Sequence, residues 1–274
     1  MVRLLIALTA LAATACAQEP IPMLDAEHEF VNVASPDLHI EVWSDVVCPF
    51  CYLGKRRLER VLAQIAAEPT RQQTAATVRV EWKSFELDPE RVTQPDRSTA
   101  AILAEDKGLS PEQVAGMMDH VARMAAPDGL TYDFERAVSA NTFRAHVLLH
   151  YAKLHGKQHA VKERLFAAQF TEGANVDDVE TLIAIAVAAG LPEAPTRAAL
   201  DNPDLANDVR MDEYEARTVG VRGVPFFLVN GEHVISGAQP AEVFEEVLRN
   251  ALQEVEAKMP FEGPVCNPDA GCDR

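Results

Sequence analysis

His39 to Ala67 read HIEVWSDVV-CPFC-YLGKRRLERVLAQIAA, and the change of pattern inside that stretch decides the fold. From His39 to Val47 the residues are mostly β-branched, aromatic or apolar, the composition of a buried strand. From Pro49 onward the apolar positions Leu53, Leu58, Val61, Leu62 and Ile65 fall on one face of a helix. Pro49 suits the first helical position, where its missing N–H leaves no hydrogen bond unmade. A strand therefore runs straight into a helix of about Pro49 to Ala67, and Cys48 and Cys51 sit at that junction.

Working outward, Thr77 to Leu87 (TVRVEWKSFEL) alternates and reads as a second strand. Strand, helix, strand implies a parallel pair with a right-handed crossover. From about Ser98 to Gly220 only helical signals appear. Ser110-Pro111-Glu112 opens one helix, with Ser as cap and Pro at the first position. Others are expected over Asn141 to His155, Lys157 to Thr171, Asp177 to Ala189 and Leu205 to Thr218. The sheet resumes at Pro225 to Val229 (PFFLV). Asn230-Gly231 is a hairpin signal, His233 to Ser236 reads as the returning strand, and Gln239 to Lys258 as a closing helix.

The order is βαβ, then helices, then ββα. This is an α/β chain on the thioredoxin plan, with an α-helical insertion between its halves. The expected division is a signal segment at 1–16, a linker at 17–38, the first half-domain at 39–97 and the insertion at 98–220. The second half-domain follows at 221–258, and a Cys-containing tail at 259–274.

Cys48 and Cys51 are separated by two residues, so their sulfurs can close a small ring. At the start of a helix the unpaired N–H groups and the dipole favour negative charge on the first sulfur, which promotes its thiolate. Cys48 is then the nucleophile, and Cys51, one turn further in, the resolving thiol. Val221-Arg222-Gly223-Val224-Pro225-Phe226 leads into a strand, the setting of a cis-proline turn. Val224 would offer its backbone to an extended substrate segment, and Pro49 and Phe50 would border the same surface. A zinc half-site completed by Cys266 and Cys272 is a rival reading of the dithiol, but five residues between those two is a loose spacing for zinc. A strained structural disulfide is another.

Trp43-Ser44-Asp45-Val46-Val47-Cys48-Pro49-Phe50-Cys51-Tyr52-Leu53-Gly54 resembles the FrnE-type branch of the DsbA family. The resemblance continues through Asn141 to His146, Leu165-Phe166 and Gln169-Phe170, and closes with Gly220 to Phe227. It implies dithiol–disulfide exchange without a dissociable cofactor or metal, with Cys48 and Cys51 as the redox pair and Pro225 as the cis-proline. It also places Asn141 and His146 on a helix facing the dithiol, and Asp45 is a further lining candidate. Glutathione-dependent isomerases and kappa-type transferases are similar in layout but carry Ser at the position of Cys48, which makes them the alternative. A metal-binding or chaperone-like exported protein is the non-enzymatic one.

The ends of the chain concern location. Arg3, the apolar run Leu4 to Ala13 and the small residues before Cys16 form a secretory signal layout. Cys16 itself is a candidate lipidation site, the rival being soluble export after cleavage at Ala15 or Ala17. An exported, periplasmic protein is expected, with the membrane involved only through that lipid anchor. Cys266 and Cys272 could pair as an auxiliary disulfide in an oxidising compartment. A formal net charge of −17 over 274 residues disfavours nucleic acid as a partner. The expected partners are cysteine-containing protein substrates and a redox recycling partner.

Overall fold

The strand-to-helix junction forms as the pattern requires. The computed structural model describes residues 38–68 and 77–257. Strand β1 (Leu38–Ser44) leads through a short turn into α1 (Pro49–Ala66). It pairs in parallel with β2 (Val78–Ser84), Leu38 opposite Val78 and Ser44 opposite Ser84. On its other side β1 pairs antiparallel with β3 (Phe226–Val229), which pairs antiparallel with β4 (His233–Ser236). The sheet order is β2-β1-β3-β4.

Leu58, Val61, Leu62 and Ile65 of α1 pack with Ile40, Val42 and Phe227 of the sheet. Phe244, Leu248 and Leu252 of α9 (Ala241–Ala257) join the same core. Truncating a buried phenylalanine such as Phe244 in a core of this kind costs about 3–5 kcal/mol. Asn230 and Gly231, both with positive φ (53° and 71°), turn the hairpin. Asn230 also exchanges two 2.8 Å hydrogen bonds with the His39 backbone, so the hairpin tip is fastened to β1.

Between β2 and β3 lie α2 (Thr99–Lys107), α3 (Pro111–Ala125), a 3₁₀ turn (Ala126–Asp128), α4 (Phe143–Leu154) and α5 (Gln158–Ala167). A π-helical turn (Ala168–Glu172), α6 (Val179–Ala188), α7 (Glu193–Ala199) and α8 (Pro203–Val219) complete the segment. Ser110 and Gln113 form the reciprocal capping box that opens α3.

Two expectations are corrected. The helix expected from Asn141 starts at Phe143, because the Asn141 carboxamide accepts the Phe143 N–H (2.9 Å) and donates to the Pro89 and Arg91 carbonyls. A side chain holding a loop in this way competes with helix formation. The helix expected from Lys157 to Thr171 is α5 followed by the π turn, closed by Gly173 at φ 69°.

The helices share a core of Leu148, Val161, Leu165, Leu182, Ile183, Leu205 and Val209. Val46, from the turn before α1, is buried in that same core, so the dithiol junction touches both halves of the molecule. Helix α8 is tied to the sheet at Asp212. Its carbonyl accepts the Trp43 indole N–H (3.1 Å), and its carboxylate accepts the Ser84 N–H (2.7 Å). No helix among the described residues is long and apolar enough to cross a membrane. Cys16, the signal and nearly all of the linker, and Cys266 and Cys272 with their tail lie outside the described residues.

Candidate active site

Cys48 is the N-cap of α1, with φ −93° and ψ 111°. Its N–H donates to the Asp45 carbonyl (3.2 Å), and its own carbonyl accepts the Cys51 N–H (3.0 Å). These bonds fix the turn and put Cys48 at the start of α1, whose first turn carries no acidic residue and whose dipole favours negative charge there. Both cysteines are free thiols. Cys48 retains 4% exposure and Cys51 none. Burial pushes the Cys51 thiol well above its ordinary range and the adjacent Cys48 adds to that, against the opposing charge of Lys162. Both are buried, but only Cys48 keeps any exposed area, while the Cys51 thiol is fully shielded and holds its proton.

The Val224–Pro225 peptide is cis. The Cys48 sulfur lies 3.6 Å from the Val224 carbonyl oxygen. The Pro225 carbonyl accepts the Gly237 N–H (2.8 Å), anchoring the turn to the end of β4. A groove of about 450 Å³ runs past Val224, lined by Arg222, Gly223, Phe226, Ser236 and Gly237. Phe50 is exposed at the mouth of the dithiol. Cys48, Pro49, Phe50, Val224 and Pro225 thus meet at one place, although Val224 and Pro225 are remote in sequence.

Beneath the dithiol lies a buried polar layer. Asp45 is fully buried and accepts the Leu87 N–H at 2.7 Å. His146 Nε2 is 3.4 Å from its other oxygen. Burial pushes the Asp45 carboxyl up, but the His146 hydrogen bond and charge, with the Leu87 and Thr142 bonds, hold it below its ordinary value. Burial dominates at His146 and lowers it, in spite of Asp45. Asp45 and His146 are therefore brought together under the site. Asn141 is not: its hydrogen bonds go to Pro89, Arg91, Thr93 and Phe143.

Three further residues bear on the dithiol and were not singled out from the sequence. Tyr132 donates its hydroxyl to the Pro49 carbonyl at 2.7 Å. Glu163 accepts the Tyr52 hydroxyl (2.7 Å) and the Lys55 ammonium (2.6 Å), and pairs with Arg56. Lys162 is fully buried beside them. The spacing of Lys162, Phe166 and Phe170, four residues apart on one helical face, is the signal that could have found it. The Lys55-Arg56-Arg57 run, which reads as an exposed face, is instead a clamp. Lys55 is buried between Glu59 and Glu163, and Arg57 bonds Asp128 (2.9 Å) and the Ala238 carbonyl (2.7 Å).

His150, His155 and His159 do not converge on a metal position. His150 pairs with Asp212 (3.1 Å) and His159 with Glu59 (2.7 Å), while His155 sits edge-on to the Tyr151 ring. Among the described residues the one cluster of metal-ligating type is Glu232, His233 and Glu254, which includes neither cysteine.

Comparison with known proteins gives the chain's family and fold. Residues 39–249 match the model of the DSBA-like thioredoxin domain. The chain is 30% identical over 216 residues to the uncharacterized protein YwbO of Bacillus subtilis, covering 77% of this chain and 96% of that protein. Its structure is similar to that of the probable DsbA oxidoreductase SCO1869 from Streptomyces coelicolor. That pair has a TM-score of 0.72 and 38% identity over 86% of this chain and 99% of the other. The cytosolic disulfide reductase DsbM of Pseudomonas aeruginosa shares the fold at a TM-score of 0.53 and 18% identity, over 79% and 99% of the two chains. The chain belongs to the DSBA-like thioredoxin domain family.

Proposed function

We propose that this protein is a thiol–disulfide oxidoreductase acting on protein cysteines through Cys48 and Cys51, of the FrnE type and exported to the periplasm. The observation that carries the reading is the asymmetry of the pair. Cys48 sits at the mouth of a helix N-terminus against the Val224 carbonyl, and Cys51 is sealed beneath it. In the reducing direction the Cys48 thiolate attacks a substrate disulfide and one substrate sulfur leaves as a thiolate. Cys51 then loses its proton and attacks the Cys48 sulfur. The Cys48–Cys51 bond forms as the second substrate sulfur departs, so the substrate gains two electrons and the dithiol loses them. Oxidation of a substrate dithiol is the same path reversed. An extended substrate segment beside Val224 would use backbone hydrogen bonding of the strand-addition kind, which tolerates many sequences.

The direction in the cell depends on the dithiol's potential against its compartment and recycling partner. A glutathione redox titration with mass mapping of the trapped thiols tests the reading. Reversible Cys48–Cys51 closure is expected between about −120 and −270 mV, the span of known exchangers. The Cys51→Ser protein is expected to accumulate a mixed disulfide at Cys48. A pair that never closes overturns the proposal.

A further inference from the structure

Lys162 belongs to the run VKERLFAAQF, residues 161–170, and recurs in phase with Phe166 and Phe170. That face of α5 and the π turn looks at the dithiol: Phe166 and Phe170 pack in one cluster with Cys48, Cys51, Tyr52 and Leu53. Lys162 is drawn in with them and has no solvent exposure. Its Nζ lies 5.0 Å from the Phe166 ring centre and 5.7 Å from that of Trp82, and makes no hydrogen bond. A buried ammonium without an oxygen partner is costly, and aromatic faces offset only part of that cost. The carboxylate that acts on it, Asp45, is committed elsewhere, to the Leu87 N–H and His146. A leucine or methionine would fill this space without that cost, so packing does not account for the amine.

We infer that Lys162 is the proton carrier of Cys51, an inference that rests on the dithiol reading above. Its neutral amine takes the proton of the Cys51 thiol as that sulfur attacks the Cys48–substrate disulfide. The Cys51 electron pair becomes the new S–S bond, the substrate thiolate leaves with the pair of the broken bond, and the ammonium returns the proton to solvent or to that thiolate. In the opposite direction Cys51 is the leaving thiolate and Lys162 protonates it.

The titratable groups that act on Lys162 fit this role. Cys51 and Cys48 face it from α1, Asp45 from the turn before α1, and all three favour its charge, while Lys55 opposes it. His146 on α4 feels its charge in turn. Burial is the largest influence and pushes the amine down to about 8, as burial pushes the Cys51 thiol up. Burial thus favours the uncharged pair of thiol and amine, so the proton leaves Cys51 only as its sulfur attacks, which is the task of a general base.

The test is a single turnover of the reduced full chain with glutathione disulfide, quenched in acid and read by mass. This separates formation of the Cys48–glutathione adduct from closure to Cys48–Cys51. In Lys162→Met closure at neutral pH should slow about 100-fold, the low end of general acid–base contributions. It should recover as pH rises and Cys51 ionises unaided, and adduct formation should slow far less. Closure with an unchanged rate and pH profile overturns the inference and leaves the dithiol reading intact. A wild-type protein that forms the adduct but never closes refutes the dithiol reading and this inference with it. Should Lys162→Met fail to fold, wild-type protein carrying ¹³Cε-lysine decides the matter. The Lys162 signal, identified by its proximity to the Phe166 and Trp82 rings, should titrate at different midpoints in the reduced and oxidised states. Identical midpoints overturn the inference.

Discussion

The Cys48 sulfur and the Val224 carbonyl oxygen lie 3.6 Å apart across 176 positions of chain. The two halves of the fold that carry them meet at Gly54, on the first turns of α1. A Cβ at Gly54 would stand 3.0 Å from both Pro225 Cγ and Phe227 Cζ. Absence of a side chain there lets α1 lie against the turn and holds the sulfur next to the carbonyl.

Gly54→Ala should therefore damage activity more than stability. Alanine gains about 1 kcal/mol of helix propensity over glycine, and overpacking costs about 1–3 kcal/mol, so the net loss is about 0–2 kcal/mol. The expected outcome is a near-native urea midpoint with clearly slower insulin-disulfide reduction, because α1 must back away from Pro225. Full activity in the variant would show that the approach of α1 to the turn does not matter.

His146 should set part of the acid sensitivity. Its folded value lies below the ordinary 6.5 because burial disfavours the imidazolium. Below pH 6.5 the unfolded chain takes up a proton that the folded chain refuses, so stability falls as pH falls. Over the interval from pH 6.5 to 5 this amounts to at most about 2 kcal/mol. Asp45, with its folded value lowered, contributes in the same direction further down, its stabilisation being lost as pH drops below 3.8 and through the folded value. His146→Gln keeps a donor for Asp45 and cannot titrate. Urea midpoints at pH 7.5 and 5 should differ less in the variant than in the wild type; an equal difference would refute the assignment.

Local pattern made the frame legible. The apolar stripe of α1, the Ser110 cap, the Asn230-Gly231 turn and Pro225 ahead of a strand each depend on residues a few positions apart, and each took the form its chemistry demands. What escaped was set by tertiary burial. Lys55 and Lys162 look like ordinary solvent-facing lysines until the helix packed over them is known. Tyr132 lies in a connecting segment whose approach to Pro49 no periodicity encodes. Asn141 was drawn toward the dithiol by its place in a motif, whereas its carboxamide closes a loop over Pro89 and Arg91. The place of the two cysteines at a strand-helix boundary was legible because the change of pattern that marks the boundary is local. The polar layer beneath it depends on α4 and α5 arriving from more than 90 residues away.

Tyr132 tethers that connecting segment to the dithiol loop through its 2.7 Å hydrogen bond to the Pro49 carbonyl. Its ring also stacks on Tyr52 and meets Phe134 and Phe170. Tyr132→Phe removes the hydroxyl alone and should cost about 0.5–1.5 kcal/mol. Tyr132→Ala also removes the ring and should cost about 3–5 kcal/mol, as large aromatic truncations do. Chemical denaturation of both variants separates the tether from the packing: a Phe variant as stable as wild type would mean that the hydroxyl contributes nothing, and equal losses that the ring adds nothing beyond it.

Glu163 joins α5 to α1 by accepting from Tyr52, Lys55 and Arg56 together. Burial raises its carboxyl, but the Lys55 and Arg56 charges outweigh it and hold the group below its ordinary 4.5. Lys55 is almost wholly enclosed, so removing a carboxylate partner strands a cation in a dry site. Breaking such a pair costs about 3–5 kcal/mol, and Glu59, which remains on Lys55, places Glu163→Gln at the lower end. A depressed carboxyl contributes stability above its unfolded value and loses it as pH falls through its folded value. The Gln variant should thus be about 3 kcal/mol less stable than wild type at pH 7, with the gap narrowing as acid neutralises the wild-type carboxylate. Urea unfolding of both proteins at pH 7 and pH 4 measures this directly. A gap that stays constant with pH would mean that the shape of Glu163, and not its charge, holds α5 against the dithiol helix.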